Sequence, residues 1–236
     1  MLRVNFVTSL DGAVSVDGLS AGLSGEADKE VFRLLRRDCD ALLVGAGTFR
    51  AENYRPLTLD ASRRAWRVAG GRAEYPRMIV VSKSLDLNPD HQALAAAPVR
   101  AAILTTGDVA VPTKLSKVAD VIRCADLAEG VAKLAALGLT ELLCEGGPHL
   151  FAELLKEDLV DELRLTLSPL LAGPGAGRLT EGPAHQVRRM RLAAWHAAGD
   201  GTLLLTYARR APRQPAAASN TMPRSLHDDP ASRERS

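Results

Sequence analysis

The chain of 236 residues predicts an α/β domain with a mixed, mostly parallel central sheet flanked by helices. Three observations carry this prediction. Short apolar strand-like runs such as Ala41–Val44 and Met78–Val81 alternate with segments of helical periodicity. The run Leu142-Leu143-Cys144-Glu145-Gly146-Gly147-Pro148 reads as a strand, a diglycine turn and a helix opening at proline, the residue suited to a first helical position. Near the C-terminus, Gln186–Ala198 and Thr202–Arg209 flank Gly199-Asp200-Gly201, the pattern of an antiparallel hairpin.

In order along the chain, Leu2–Leu10 reads as a first strand ending at the Asp11-Gly12 turn. Ser24 is placed to cap a helix whose positive end suits Glu26 and Asp28. Ala27, Val31, Leu34 and Leu35 form its apolar stripe, and the helix runs to about Arg37. Ala41–Val44 is a short strand, and Gly45-Ala46-Gly47-Thr48 opens another helix. Residues 53–75 lack clear periodicity and read as a long loop with one helical turn. Strands follow at 77–82, 99–105 and 120–123, then a helix at 127–137 stopped by Gly138. The strand before the diglycine covers 141–144, its helix reaches Lys156, and a long strand occupies 160–168.

Composition narrows the function classes. No apolar run approaches the ~20 residues of a membrane helix, and the N-terminus lacks a basic-then-apolar secretion layout. Cys39, Cys124 and Cys144 lie far apart, which argues against a zinc site and a disulfide framework and makes a reducing cytoplasm the expected compartment. His149, His185 and His196 are likewise too scattered for a metal site. Residues 209–236 hold six arginines and three acids, leaving 24 basic against 25 acidic residues in the body. No basic face is expected for nucleic acid. The Pro/Arg/Ala-rich segment 210–236 is expected to be a disordered tail behind a single folded domain, 1–209.

The diglycine turn is the first candidate site. A helix N-terminus there offers free N–H groups to phosphate or pyrophosphate, although an ordinary strand-to-helix turn would read the same way. Around it, Thr8-Ser9-Leu10-Asp11-Gly12, Asp40 through Thr48, Pro76 through Ser82, Glu145-Gly146-Gly147-Pro148, Leu159 through Leu163 and Ser168 through Gly173 stand in order. Together they resemble the reductase domain of riboflavin biosynthesis, which shares its fold with dihydrofolate reductase. The resemblance spans about residues 2–209, and the H-x-E and P-C-x-x-C deaminase pattern of bifunctional members is absent, so a stand-alone reductase is expected.

The resemblance implies NADPH-dependent reduction of the ribosyl group of 5-amino-6-(5-phosphoribosylamino)uracil to ribityl, in a homodimer. It assigns Gly146, Gly147, Pro148, His149 and Leu150 to the cofactor pyrophosphate, with Gly45, Gly47 and Thr48 at a second cofactor turn. Thr48 also suits a helix cap. Glu52 falls where the family often has a cofactor-contacting aspartate, and Val7 would offer main chain to the nicotinamide amide. Ser82, with Lys83 beside it, matches a contact near the ribose 2′-phosphate and is the basis for NADPH over NADH; Ala46 lacks the basic residue usual in dihydrofolate reductases. Ser20, Arg36, Arg55 and Glu145 match substrate contacts, Ser20 only with a one-residue gap. Gly22 replaces a tryptophan of related chains. Helical pattern alone would leave Arg36 exposed, opposite the apolar stripe. Asp11 is read first as a turn carboxylate and second as a proton-transfer candidate, and no catalytic residue is assigned.

Alternatives remain at this stage. The substrate could be the diaminopyrimidinone precursor, or a folate or pterin ring. A folate site in this fold expects an acid on the first helix, where Asp28 and Glu30 are available. The departures at Gly22 and Glu52 also leave open a nucleotide-binding protein without turnover. For a dimer, the strand over 160–169 and the terminal hairpin offer apolar edges.

Overall fold

The computed structural model describes residues 1–184 and 186–209, so the proposed tail and His185 lie outside the described residues. Nine strands form one sheet: β1 (Leu2–Thr8), β2 (Ala41–Gly45), β3 (Arg77–Val81), β4 (Ala101–Thr105), β5 (Ala119–Arg123), β6 (Leu142–Cys144), β7 (Glu162–Leu167), β8 (Met190–Ala197) and β9 (Leu203–Arg209). Their spatial order is β5-β4-β3-β2-β6-β1-β7-β9-β8. All pairs from β5 to β7 are parallel, and β7–β9 and β9–β8 are antiparallel. The α/β class, the mostly parallel mixed sheet and the closing hairpin are therefore as the sequence predicts.

Helices α1 (Glu26–Asp38), α2 (Ala46–Ala51), α3 (Ala61–Ala69), α4 (Gln92–Ala95), α5 (Thr113–Val118), α6 (Leu127–Ala136) and α7 (Pro148–Lys156) flank the sheet. Along the central strands successive residues enter opposite cores. Leu42, Val44, Met78, Val80 and Ile103 join one, and Leu43, Ile79, Ala102 and Leu104 the other. Burial on both faces is why β2, β3 and β4 are apolar throughout.

The end of the sheet where β2 and β3 begin is pinned by polar side chains. Asp40 Oδ2 accepts from the Thr140 and Glu141 N–H groups at 3.0 and 2.8 Å, and Oδ1 pairs with Arg72 at 2.9 Å. Arg67 on α3 is fully buried. Its guanidinium donates to the carbonyls of Arg37, Cys39 and Ala73 at 2.6, 2.5 and 2.7 Å, tying α3 to the exit of α1.

Four expectations need correction. Residues 53–75 hold the helix α3, capped by Asp60 accepting from the Arg63 N–H at 2.9 Å. Its inward residue is an arginine while Trp66 and Val68 are exposed, so it shows no apolar stripe. Ser24 does not cap α1: Gly25 is the N-cap without a side-chain bond, and the Ser24 hydroxyl donates to Asp28 Oδ2 at 2.6 Å. Of the expected stripe of α1, Leu35 is buried and Val31 packs on the core, but Leu34 is exposed and the buried face also carries Asp28. Finally, β7 offers no free edge because β1 and β9 pair on its two sides. The hairpin does supply the edge on that side, β8, which exposes Leu192 and Trp195, and β5 is the edge on the other.

Candidate functional site

A cavity of about 1320 Å³ opens at the carboxyl ends of β1, β2, β3 and β6. β6, made late in the chain, returns between β1 and β2, so this is a point where the order of strands reverses. Such a crevice is where open α/β sheets bind ligands. Its volume exceeds the roughly 300–1,000 Å³ usual for a ligand pocket, as a site for a cofactor and a substrate together requires.

One wall is the diglycine turn. Gly146 has φ +105°, the left-handed region, and the following peptide bond to Gly147 is cis. The Gly45 N–H donates to the Gly146 carbonyl at 2.9 Å, joining the two glycine turns. A Cβ at Gly147 would collide with Thr48 Oγ1, so any larger residue there has to displace the Thr48 hydroxyl. Gly147 is the N-cap of α7 without a side-chain bond, and the first helical residues Pro148, His149 and Leu150 line the cavity. His149 lies in this wall with Nδ1 at 3.6 Å from Glu181 Oε2, its side chain largely exposed.

Immediately before this turn the cavity is lined by a charged cluster. Glu145, just beyond β6, has a side chain 1 % exposed. Arg36 donates to both its oxygens, Nε to Oε1 at 2.7 Å and Nη2 to Oε2 at 2.6 Å. The Tyr54 hydroxyl donates to Oε2 at 3.1 Å, and the Phe32 ring lies 4.1 Å beneath the guanidinium. Burial works against the charge on Arg36, but the Glu145 carboxylate outweighs it and its pKa is raised. Burial, followed by the Glu145 charge, lifts the Tyr54 phenol well above its usual range, so it stays a neutral donor. Burial also pushes the Cys144 thiol up to about 12, which keeps it an inert apolar neighbour.

The remaining sequence candidates also line this cavity: Val7, Ser20, Gly45, Gly47, Thr48, Glu52, Arg55, Ser82 and Leu150. Glu52 is occupied within the chain, its Oε1 accepting from the Ser20 N–H at 3.0 Å and holding the 3-10 turn Ser20–Gly22 against α2. Ser82 is buried, its hydroxyl oxygen accepting from the Leu85 N–H at 3.1 Å, with Lys83 beside it. Arg55 is exposed and has no carboxylate partner among the described residues. At Gly22 a Cβ would lie 2.8 Å from Val16 Cβ, so the Val16 side chain crowds out any larger residue here.

Arg36 is half-buried and not on an open helix face, because Asp28, Phe32 and Arg36 lie at intervals of four along the side of α1 that lines the cavity. That spacing of four residues is a signal an apolar-stripe reading passes over. Glu30 faces outward, paired with Arg33. Asp11 lies outside this cavity: it accepts from the Ala172 and Gly173 N–H groups and the Ser9 hydroxyl, and acts as a turn carboxylate. Tyr54, Asn5 and Asp28 are site residues that the motifs did not assign.

The geometry can be set beside known proteins. Residues 1–204 match the family model of the RibD C-terminal domain. The chain belongs to this family. It is 30% identical over 175 residues to the 2,5-diamino-6-ribosylamino-4(3H)-pyrimidinone 5′-phosphate reductase of Methanothermobacter thermautotrophicus, covering 72% of this chain and 78% of that one. A reductase of the same name from Archaeoglobus fulgidus is 29% identical over 185 residues, covering 72% and 80%. Among solved structures, a pyrimidine reductase-like protein of Corynebacterium diphtheriae superposes with a TM-score of 0.78 at 25% identity, covering 89% of this chain and 92% of that one. Among the described residues no helix is long and apolar enough to cross a membrane.

Proposed function

We propose that the chain uses NADPH to reduce the ribosyl group of a phosphorylated ribosylaminopyrimidine to ribityl, either 5-amino-6-(5-phosphoribosylamino)uracil or the diaminopyrimidinone on which the two archaeal relatives act. The observation that carries the reading is one cavity holding both a glycine-built helix start and the Arg36–Glu145 pair. The residues present fit the dinucleotide: the side-chain-free cradle at Gly147 and the N–H groups opening α7 would receive its pyrophosphate, Thr48 would flank it, and Ser82 with Lys83 would meet a 2′-phosphate. Bound there, NADPH supplies the hydride, and the protein supplies placement and water exclusion.

Glu145 fixes the Arg36 fork through Nε and Nη2, leaving Nη1 free to face an anion. Arg55 at the rim adds a second cation for the substrate 5′-phosphate. The neutral Tyr54 hydroxyl holds its proton toward Glu145 and keeps that carboxylate in place. Glu145, with both oxygens already accepting, acts on a substrate through Arg36 as much as by direct contact. In the cell this reading entails a cytoplasmic enzyme, and a homodimer would pair through the exposed face of β8.

The test mixes purified protein, NADPH and each enzymatically prepared ribosylaminopyrimidine, and follows loss of the reduced-nicotinamide absorbance. Turnover that collapses in Arg36→Ala supports the reading. NADPH binding without oxidation on either substrate would replace it with a binding-only role.

A further inference from the structure

Among the described glycines, Gly107 is the one whose missing side chain would overlap the backbone of another loop. A Cβ there would run into the Lys83 carbonyl oxygen and lie 3.1 Å from its carbonyl carbon and 3.5 Å from its Cα. The Gly107 φ is outside the left-handed region, so space and not backbone strain excludes a side chain. Gly107 stands just beyond β4 and is held from two sides. Its N–H donates to Thr105 Oγ1 at 3.1 Å, and its carbonyl accepts from Arg123 Nη1 at 2.7 Å. Arg123 Nη2 donates to the Val109 carbonyl as well. Thr105 is buried at the end of β4 and Arg123 closes β5, so two strand ends fix the ledge against which the Lys83 peptide rests. On the other flank, the Ser82 N–H donates to the Leu104 carbonyl at 3.0 Å and the Ser82 hydroxyl oxygen accepts from the Leu85 N–H. The Lys83 side chain itself is exposed, lines the cavity and pairs with no carboxylate among the described residues.

We infer that Gly107, clamped by Arg123, is a positioning residue for cofactor choice: by seating the Lys83 backbone it sets the preference for a 2′-phosphorylated nicotinamide dinucleotide over the unphosphorylated one. The inference rests on the proposed use of NADPH and deepens it. Asp126 and Glu157 also line this cavity, and a carboxylate repels a phosphate. Lys156, in the same lining, is already paired with Glu153 at 3.5 Å. Attraction for a 2′-phosphate therefore depends on the unpaired Lys83 and on the turn that carries it. The lysine stem is flexible, so what Gly107 fixes is that turn. A shift of the Lys83 peptide displaces the hydroxyls of Ser82 and Ser84, which line the cavity on either side, together with the ammonium. A Cβ at position 107 would push the peptide by roughly 1 Å, a misplacement that costs about tenfold to a hundredfold where groups must meet a ligand. The parts common to both dinucleotides would be held at α7 and at the turn after β2, away from this contact. The loss should consequently fall on NADPH and spare NADH.

The experiment measures Kd for NADPH and for NADH by nicotinamide fluorescence in wild type, Gly107→Ala, Lys83→Gln and the double variant, with circular dichroism as the control of the fold. Wild type should bind NADPH at least about tenfold more tightly than NADH. Gly107→Ala should bring that ratio toward one with NADH affinity unchanged, and so should Lys83→Gln. In the double variant the two losses should not add, because the glycine acts through the lysine turn. If Gly107→Ala does not fold, Arg123→Gln decides: it releases the Gly107 and Val109 carbonyls without adding a Cβ, and should lower the ratio partway. A ratio unchanged in the folded variants overturns the role of Gly107. So does a Gly107→Ala protein that loses both nucleotides alike, which is damage to the cavity as a whole. A wild type that binds the two dinucleotides equally overturns the inference and leaves the proposed reduction standing. A preference that shifts as expected in a protein that turns over neither ribosylaminopyrimidine supports the role of Gly107 and overturns the proposed reaction. Binding of neither nucleotide overturns both.

Discussion

Replacing Arg36 with methionine strands the Glu145 carboxylate, whose side chain is 1% exposed against 27% for Arg36. Two charge-assisted hydrogen bonds at 2.7 and 2.6 Å are lost together, and only the Tyr54 hydroxyl at 3.1 Å remains. Breaking a fully buried pair from one side costs about 3–5 kcal/mol. Because Arg36 keeps some solvent, about 3 kcal/mol is the expectation here. At about 2–4 °C per kcal/mol for a domain of this size, Tm should fall by roughly 6–12 °C. Glu145→Leu alone should also destabilise, by leaving Arg36 half-buried without its anion. The double variant Arg36→Met/Glu145→Leu removes both charges, and it should recover about 2 kcal/mol relative to the sum of the single losses. Urea unfolding of the four proteins gives the cycle directly. Single variants within about 0.5 kcal/mol of wild type, or strict additivity, would refute the claim that this pair ties α1 to the end of β6.

Arg67→Ala should cost about 3–5 kcal/mol in urea unfolding, since it leaves the carbonyls of Arg37, Cys39 and Ala73 buried without donors; a loss under 1 kcal/mol would show that water replaces the guanidinium. Gly147→Ala should weaken NADPH binding by at least about tenfold, because its Cβ meets Thr48 Oγ1, and Thr48→Ala in the same chain should restore part of the affinity when measured by nicotinamide fluorescence. Asp11 has its pKa lowered from 3.8 to about 2, by the Ser9 hydroxyl first and the Ala172 and Gly173 N–H groups after it. A lowered folded-state pKa means its stabilisation is present above about pH 4 and is lost as pH falls toward 2. The Tm gap between wild type and Asp11→Asn should therefore be constant near neutrality and close over that acid window; a gap unchanged at pH 2 would contradict the assignment.

The sequence announced the parts of the molecule where one physical demand dominates. The apolar runs Ala41–Val44 and Met78–Val81 are strands because both faces are covered, and Gly146-Gly147-Pro148 is a turn into a helix because glycine takes the positive φ at position 146 and leaves the Thr48 hydroxyl its place at 147. Candidates as distant as Val7 and Leu150 meet in one cavity, since the parallel strands all end there. The illegible parts are those where a polar residue does the work of an apolar one. α3 is hidden because Arg67 occupies its buried face, and the cavity-lining side of α1 is missed because it is built from Asp28, Phe32 and Arg36 beside the apolar stripe, of which Leu34 alone is exposed. Tyr54, in an unpatterned stretch, gives no sign of its bond to a glutamate 91 positions later. Nor does a strand-like pattern at 160–168 reveal that both its edges are taken.

The polar fastening around Asp40 and Arg67 lies at the end of β2 opposite the cavity. The two ends of the sheet consequently answer to separate demands. Where the parallel strands begin, side chains spend their hydrogen bonds on neighbouring backbone and keep the scaffold in register. Where they finish, loops meet whatever enters. Substitution or lengthening of the segments at 13–24 and 53–58 leaves that fastening untouched, so new ring specificities can be sought by diversifying those loops on an intact frame. Diversity introduced around Thr140 or Arg72 would instead be lost as unfolded protein before any activity could be selected.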